Sequence, residues 1–502
     1  MRTLLVVITL FLGVYSGAQL NIHQDLIPYL DQKLAPFYHG VASGDPTEES
    51  VIIWTKVTLD QKVKKADISW ELAEDISFNT IIQKGKGQVN ANSDFSLKVD
   101  VSGLKAGKKY FYRFHYKDKN SIIGETRTLP NNASEISIAF TACSNYEWGY
   151  FNNYRFIAED EEIDLVVHLG DYIYEYGIGS YGDTSIGRMN VPEGEIVTLN
   201  DYRTRYSLYR LDPDLMKAHQ MKPFVTTWDD HEIANNAYDE GAQNHQKEEG
   251  DWYERASAAR KAYYEWLPVR KKKDEPLYRS FSIGRLADLI ILDTRMGGRT
   301  AQVDNMDAPN FQDTNRTILG KEQYKWFMDE LNSDHEWKIV GNQVPFGPLY
   351  FPGEERGEKY MDGWDGYPYE QHRLMNSLKT IDNVVFVTGD CHRSFALEND
   401  LEGTADKSDN VSVEFVVTSI TSANADEYMP MEDALAENES YLANNPHMSY
   451  ANSTDHGYLV LHVSKEKVVA DFIYATTIRS TEAEKKLEKS VTVKEGEKSL
   501  QD

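Results

Sequence analysis

The segment VVFVTGDCHRS, residues 384–394, runs from an apolar stretch straight into Asp390, Cys391 and His392. Three other apolar stretches end the same way: ISIAFTACSN leads to Cys143, IDLVVHLGDYIYEYG to Asp171 and Tyr174, and MKPFVTTWDDHE to Asp229, Asp230 and His231. Each group alone has an ordinary structural explanation, since a lone buried Cys behaves as a small hydrophobe and an Asp after a strand often forms a cap or turn. Together they are carboxylates, imidazoles, a thiol and a phenol, which is an inventory of metal donors and general acids. Several carboxylates with one or two imidazoles suit a pair of cations bridged by one carboxylate. Two such ions, roughly 3.5–4 Å apart, can clamp the attacking and leaving oxygens of an in-line phosphoryl transfer. A thiolate and a phenolate on one ion favour a redox-capable cation such as iron over a magnesium-like one. A His outside the ligand set could protonate the leaving alkoxide.

The elements that must position these groups are legible as a change of pattern. From 36 to 130, runs such as SVIIWTKVT, ADISWELAE and KKYFYRFHYKD alternate with period two between turn residues, as an all-β, fibronectin- or Ig-like sandwich would. From 134 to 478, strands alternate with helical stretches, which predicts an α/β domain whose mixed or parallel sheet carries ligands at the carboxyl ends of its strands. Apolar spacing predicts cover helices over 250–270 and 320–334. The Gly/Tyr-rich stretches 183–214 and 353–371 show little periodicity and are predicted to be loops over the site. The charged residues 479–502 are predicted to be a tail, a solvated helix or a frayed end.

Composition limits the function. At 502 residues the chain has room for two or more units. With 53 Lys plus Arg against 80 Asp plus Glu, the formal charge of -27 opposes stable binding of nucleic acid. It leaves room for a small phosphorylated substrate, because bound cations reverse the local sign of a cleft. Residues 1–18 have a basic start at Arg2, an apolar run and a small-residue end, the pattern of a secretory signal peptide; the protein is expected to be exported, periplasmic or extracellular. No later apolar run reaches membrane-spanning length. With only Cys143 and Cys391, the chain is not a disulfide scaffold. Nothing in the sequence sets an oligomeric state.

The ordered motifs ACSNY, HLGDYIYEYG, TTWDDHEIANN, YYEWLPVR, ADLIILDTR, WKIVGNQVPF, VVFVTGDCHRS and EFVVTSITS resemble those of the PhoD-like alkaline phosphatases, a branch of the metallophosphoesterase superfamily. HGVASGDPTEESVIIWTKV is similar to that family's N-terminal β-sandwich, so the resemblance runs from about Tyr38 to Tyr474. It implies a four-layer α/β/β/α catalytic sandwich. It also implies a ferric ion (Fe3+) held by Cys143, Asp171, Tyr174 and His392, and calcium (Ca2+) held by Asp171, Asp230 and Asp390, with other divalent metals as alternatives. DDHE puts Asp230 in the Asn slot of the wider superfamily's Gly-Asn-His-Glu/Asp motif and leaves His231 to stabilise phosphate or protonate the leaving group. Arg295 and Asn342 are candidates for contacting phosphate or supporting the ligands; Asp229, Asn235 or Asn236 could complete a calcium shell. Cys391, between two groups facing the site, should turn into the packing. The expected activity is metal-dependent hydrolysis of phosphate monoesters, with two rivals: a phosphodiesterase or phospholipase of the same fold, and a non-enzymatic calcium-dependent binding protein.

Overall fold

The computed structural model describes residues 19–270, 276–353 and 357–501; the expected signal peptide, 1–18, lies outside them. Two large sheets lie face to face. The ten-stranded sheet contains three parallel strands, Glu135–Thr141, Leu165–His168 and Pro223–Thr226, with Leu165–His168 in the middle. The seven-stranded sheet contains the parallel set Ala287–Ile291, Trp337–Asn342, Val384–Thr388 and Ser412–Val416. Alternate residues decide what each face meets, because successive side chains of a strand point to opposite sides. Ile138, Phe140, Val167 and Val225 of the first sheet pack against Leu289, Ile339, Val385 and Phe415 of the second.

The other faces carry helices. Ala139, Val166 and Phe224 meet residues of the helices Asn152–Glu159, Leu199–Arg210, Pro213–Met221 and Trp252–Trp266. On the far side, Ile290, Val340 and Phe386 meet Phe327 of Gly320–Leu331 and Leu374 and Met375 of Pro368–Leu378. Both faces of the parallel strands are therefore dry, which explains strands that read as continuous apolar runs.

The N-terminal region does not close on itself. A five-stranded sheet built on Lys65–Ala73 and Lys109–Tyr116 packs Ile68, Leu72, Tyr112 and Phe114 against Val41, Val51, Ile53 and Val101. Those last residues belong to strands that continue the ten-stranded sheet, through the parallel pairs Ser43↔Pro223 and Gly44↔Phe224. Main-chain pairing thus crosses the boundary near residue 130.

Two expectations are corrected. Part of the predicted loop 183–214 is the helix Leu199–Arg210, started by a capping box in which the Thr198 hydroxyl accepts from the Asp201 amide and the Asp201 carboxylate accepts from the Thr198 amide. The predicted tail 479–502 is neither a solvated helix nor frayed: Lys485–Lys494 pairs antiparallel with Lys467–Ala475, and Leu500–Gln501 pairs with it in turn. Its inward face, Val491 and Val493, joins the core between the sheets, while its charged residues face out. Among the described residues no helix is long and apolar enough to cross a membrane.

Candidate metal centre

The donors sit where the parallel strands of both sheets run out. Cys143 follows Glu135–Thr141, Asp171 follows Leu165–His168, Asp229 and Asp230 follow Pro223–Thr226, and Asp390 and His392 follow Val384–Thr388. Four of these residues take left-handed backbone: Cys143 at φ 58°, Asp171 at 56°, Asp390 at 65° and His392 at 54°. For residues with a Cβ such conformations cost free energy and concentrate at functional sites. Between strand and donor, Gly170 (φ 117°) lets two strand ends meet, since a Cβ there would lie 2.4 Å from the Cβ of Asp229.

Three overlapping donor groups result. Cys143, Asp171 and His392 form the first, Asp171, Asp230 and His231 the second, and Asp229, Asp230 and Asp390 the third, with the ligand atoms of each within 4.8 Å of one another. Asp171 links the first two and Asp230 the last two. The Tyr174 hydroxyl joins the first group, 3.1 Å from Asp171 Oδ2 and 3.3 Å from His392 Nε2. His392 donates from Nδ1 to the Ala423 carbonyl (3.0 Å), which leaves Nε2 as the lone-pair nitrogen on the Tyr174 side. Burial pushes this imidazole down to about 3, so it is neutral, as a metal-ligating His must be.

The charge balance fits cations. Asp229 Oδ2 and Asp230 Oδ1 are buried without a hydrogen-bond partner. Burial, reinforced by neighbouring carboxylates, holds the Cys143 thiol, the Asp171 carboxyl and the Asp229 carboxyl well above their ordinary values. Donors that hold their protons around orphaned carboxylate oxygens are the chemistry of a site suited to cations, whose charge would release those protons.

The expected supporting residues are placed as follows. Arg295 is wholly buried, with its guanidinium paired to Asp229, to Asp362 at 2.7 Å and to Asp390 at 3.3 Å, so it braces the carboxylates instead of offering a free fork to phosphate. Asn342 gives its amide to the Val344 carbonyl and the Thr388 hydroxyl (3.2 Å), and no hydrogen bond among the described residues ties it to the donor groups. The Asn236 amide donates to Asp230 Oδ2 (2.6 Å) and the Asn235 amide to Glu175 Oε1 (2.7 Å), so both act through backbone. Cys391 packs against Leu349, Phe395 and Tyr441, and both cysteines are free.

Several residues escaped sequence reasoning. Glu175 is fully buried and accepts from His231 Nδ1 (2.7 Å), from the Asn235 amide and from Asn244 Nδ2 (2.8 Å). Burial pushes His231 down, but Asp230, Glu175 and Asp171 outweigh it and hold the imidazole well above its ordinary value. Glu232 accepts backbone N–H groups of Asp171 (3.0 Å), Tyr172 (2.6 Å) and Asp229 (2.9 Å), tying two donor loops together. Ser422 donates to the Tyr174 hydroxyl (2.6 Å), Tyr360 donates to Asp390, and Asp362 pairs with both Arg295 and Arg299 (2.6 Å). Glu175, Glu232 and Ser422 carried a local signal, lying inside the YIYEYG, DDHE and EFVVTSITS motifs, and Tyr360 and Asp362 lie in the stretch 353–371 predicted to be a loop over the site; none of these sequences shows which donor each residue meets.

The chain is similar to known proteins over most of its length. The family model described as PhoD-like phosphatase matches residues 138–472, and the model of the PhoD-like phosphatase N-terminal domain matches 28–130. Alkaline phosphatase D of Bacillus subtilis (strain 168) is 37% identical over 460 residues, covering 87% of this chain and 77% of its own length. The solved structure of PhoD superposes with a TM-score of 0.84 at 33% identity, covering 94% of this chain and 92% of that one.

Proposed function

Because the chain belongs to the PhoD-like phosphatase family, we propose that it is a metal-dependent phosphatase whose reaction on phosphate monoesters takes place at the three linked donor groups. The phosphatase assignment follows from the family. The observation that carries the rest is the sharing of Asp171 and Asp230 between groups, since one carboxylate between two ions is the arrangement a multi-metal phosphoryl-transfer site uses.

Cys143, Asp171, Tyr174 and His392 would hold a ferric ion, and Asp171, Asp230 and Asp390, with Asp229, would hold calcium. Such ions, when bound, supply charge neutralisation for the phosphoryl oxygens and a water acidic enough to attack at ordinary pH. The chain supplies the proton. Asp230 and Glu175 favour the charged imidazole of His231, whose Nδ1–H donates to Glu175, so its Nε2–H is the proton it would offer a leaving alkoxide. Glu175, held by the Asn235 amide and Asn244, fixes the plane of the ring. Arg295 and Arg299 restrain Asp229, Asp362 and Asp390. Export belongs to the same proposal and rests on the sequence of residues 1–18.

The test is hydrolysis of a phosphomonoester and a bis-ester analogue by the metal-loaded protein and by Asp171→Asn. Monoester turnover lost in the variant, with its circular dichroism spectrum retained, supports the proposal. Faster turnover of the bis-ester would reassign the substrate to diesters, and full activity of the variant would remove the centre from the reaction.

A further inference from the structure

Beside His231 the protein builds an aromatic surface on Tyr181, whose hydroxyl lies 3.3 Å from His392 Nδ1 and whose ring meets Tyr174, and Trp148 and Tyr428 extend it beyond the donor groups. The Tyr181 ring lies nearly parallel to the His231 imidazole (12°, centroids 6.5 Å apart). Trp148 meets Tyr181 edge-on at 6.0 Å, and Tyr428 meets Trp148 at 6.2 Å. The three residues come from three chain segments, following the strands Glu135–Thr141, Leu165–His168 and Ser412–Val416. Exposure rises outward: Tyr181 and Trp148 are half-buried, and Tyr428 is 62% exposed. A run of aromatic side chains that leads from a reacting group to solvent, with Tyr428 left mostly exposed at its end, is the kind of surface that meets a ligand.

Resting on the phosphatase reading, we infer that Trp148 and Tyr428 form a leaving-group subsite selecting phosphate esters whose organic half carries a planar aromatic or heteroaromatic ring. The direction follows from His231: the ring that protonates the leaving oxygen has that oxygen's substituent on its own side, and this is the side from which Tyr181, Trp148 and Tyr428 extend. Stacking on such rings needs no hydrogen-bond code, so a range of planar groups is accepted.

The experiment measures kcat/KM for 1-naphthyl phosphate and for glycerol 2-phosphate with the metal-loaded full chain, and follows their ratio in W148A, Y428A and W148F. The ratio removes differences in folded or loaded fraction. In W148A and Y428A it is expected to fall about tenfold, mainly through KM of the naphthyl ester, with W148F keeping most of it. A ratio within twofold of the unsubstituted protein in both alanine variants would overturn the inference while leaving the phosphatase reading intact. Hydrolysis of neither ester by the unsubstituted protein would defeat that reading, and the inference with it.

Discussion

Asp171 takes part in more of the centre than any neighbouring side chain: Oδ2 faces the Cys143 thiol at 3.4 Å and the Tyr174 hydroxyl, while Oδ1 accepts from the His231 amide at 3.3 Å. Asp171→Asn keeps the shape and removes the charge that two groups share. Loss of metal together with at least about a thousandfold loss of kcat is expected, checked by elemental analysis beside initial rates. Glu175→Gln separates a second role. The amide still reaches His231 but no longer favours its charged form, so kcat should fall by roughly a hundredfold, at the low end of the roughly 10²–10⁴ range of general acid–base groups, with metal content unchanged. Equal loss of metal in this variant would make Glu175 a structural residue only. The donors were legible in the sequence because each stands within a few residues of an apolar run. For Asp362 and Tyr360, in the predicted loop 353–371, and for Ser422, at the end of EFVVTSITS, the partners were not legible, because no local pattern tells which loop a sheet edge brings beside Asp390 or Tyr174.

At the scale of elements, the centre depends on strand ends approaching more closely than side chains permit. Gly170→Ala would place a Cβ 2.4 Å from both Cβ and N of Asp229, on backbone already at φ 117°. The expected outcome is a lower melting temperature and weaker metal binding together, measured by calorimetry with and without added metal. The parallel strands were readable because burial on both faces leaves continuous apolar runs. The helix Leu199–Arg210 was not, since it buries Arg205 and Arg210 with its Tyr residues and so shows no apolar stripe; its start was written only in Thr198 and Asp201. The strand Lys485–Lys494 was hidden by four lysines, although Val491 and Val493 carry the inward alternation. Deleting 485–502 removes Val491, Val493 and Leu500 from the core, each worth about 1.5–3 kcal/mol. The truncated chain is therefore expected to melt well below the full one.

Across the whole molecule, acidity and burial set the response to pH. Burial holds His39 and His219 well below their ordinary value and pushes His168 down to about 3, so all three are neutral when folded. The unfolded chain protonates them near pH 6.5. Their contribution to stability is complete above that value and is lost as pH falls below it, by about 1.4 kcal/mol per pH unit for each group. His219→Gln should accordingly show a shallower fall of melting temperature between pH 6.5 and 5 than the unsubstituted protein. Domain organisation was only partly legible for a related reason of scale. The period-two pattern shows that residues 41–56 are strands, but nothing local shows that Gly44 pairs with Phe224 and carries the N-terminal strands into the catalytic sheet.

The central claim, that one acidic cleft hydrolyses phosphate esters through cations held at Cys143, Asp171, Asp230, Asp390 and His392, is tested most directly by elemental analysis of catalytically active purified protein. Stoichiometric iron and calcium, lost in step with phosphomonoester turnover on chelation, is the expected result. Full turnover by protein carrying no stoichiometric metal would contradict it.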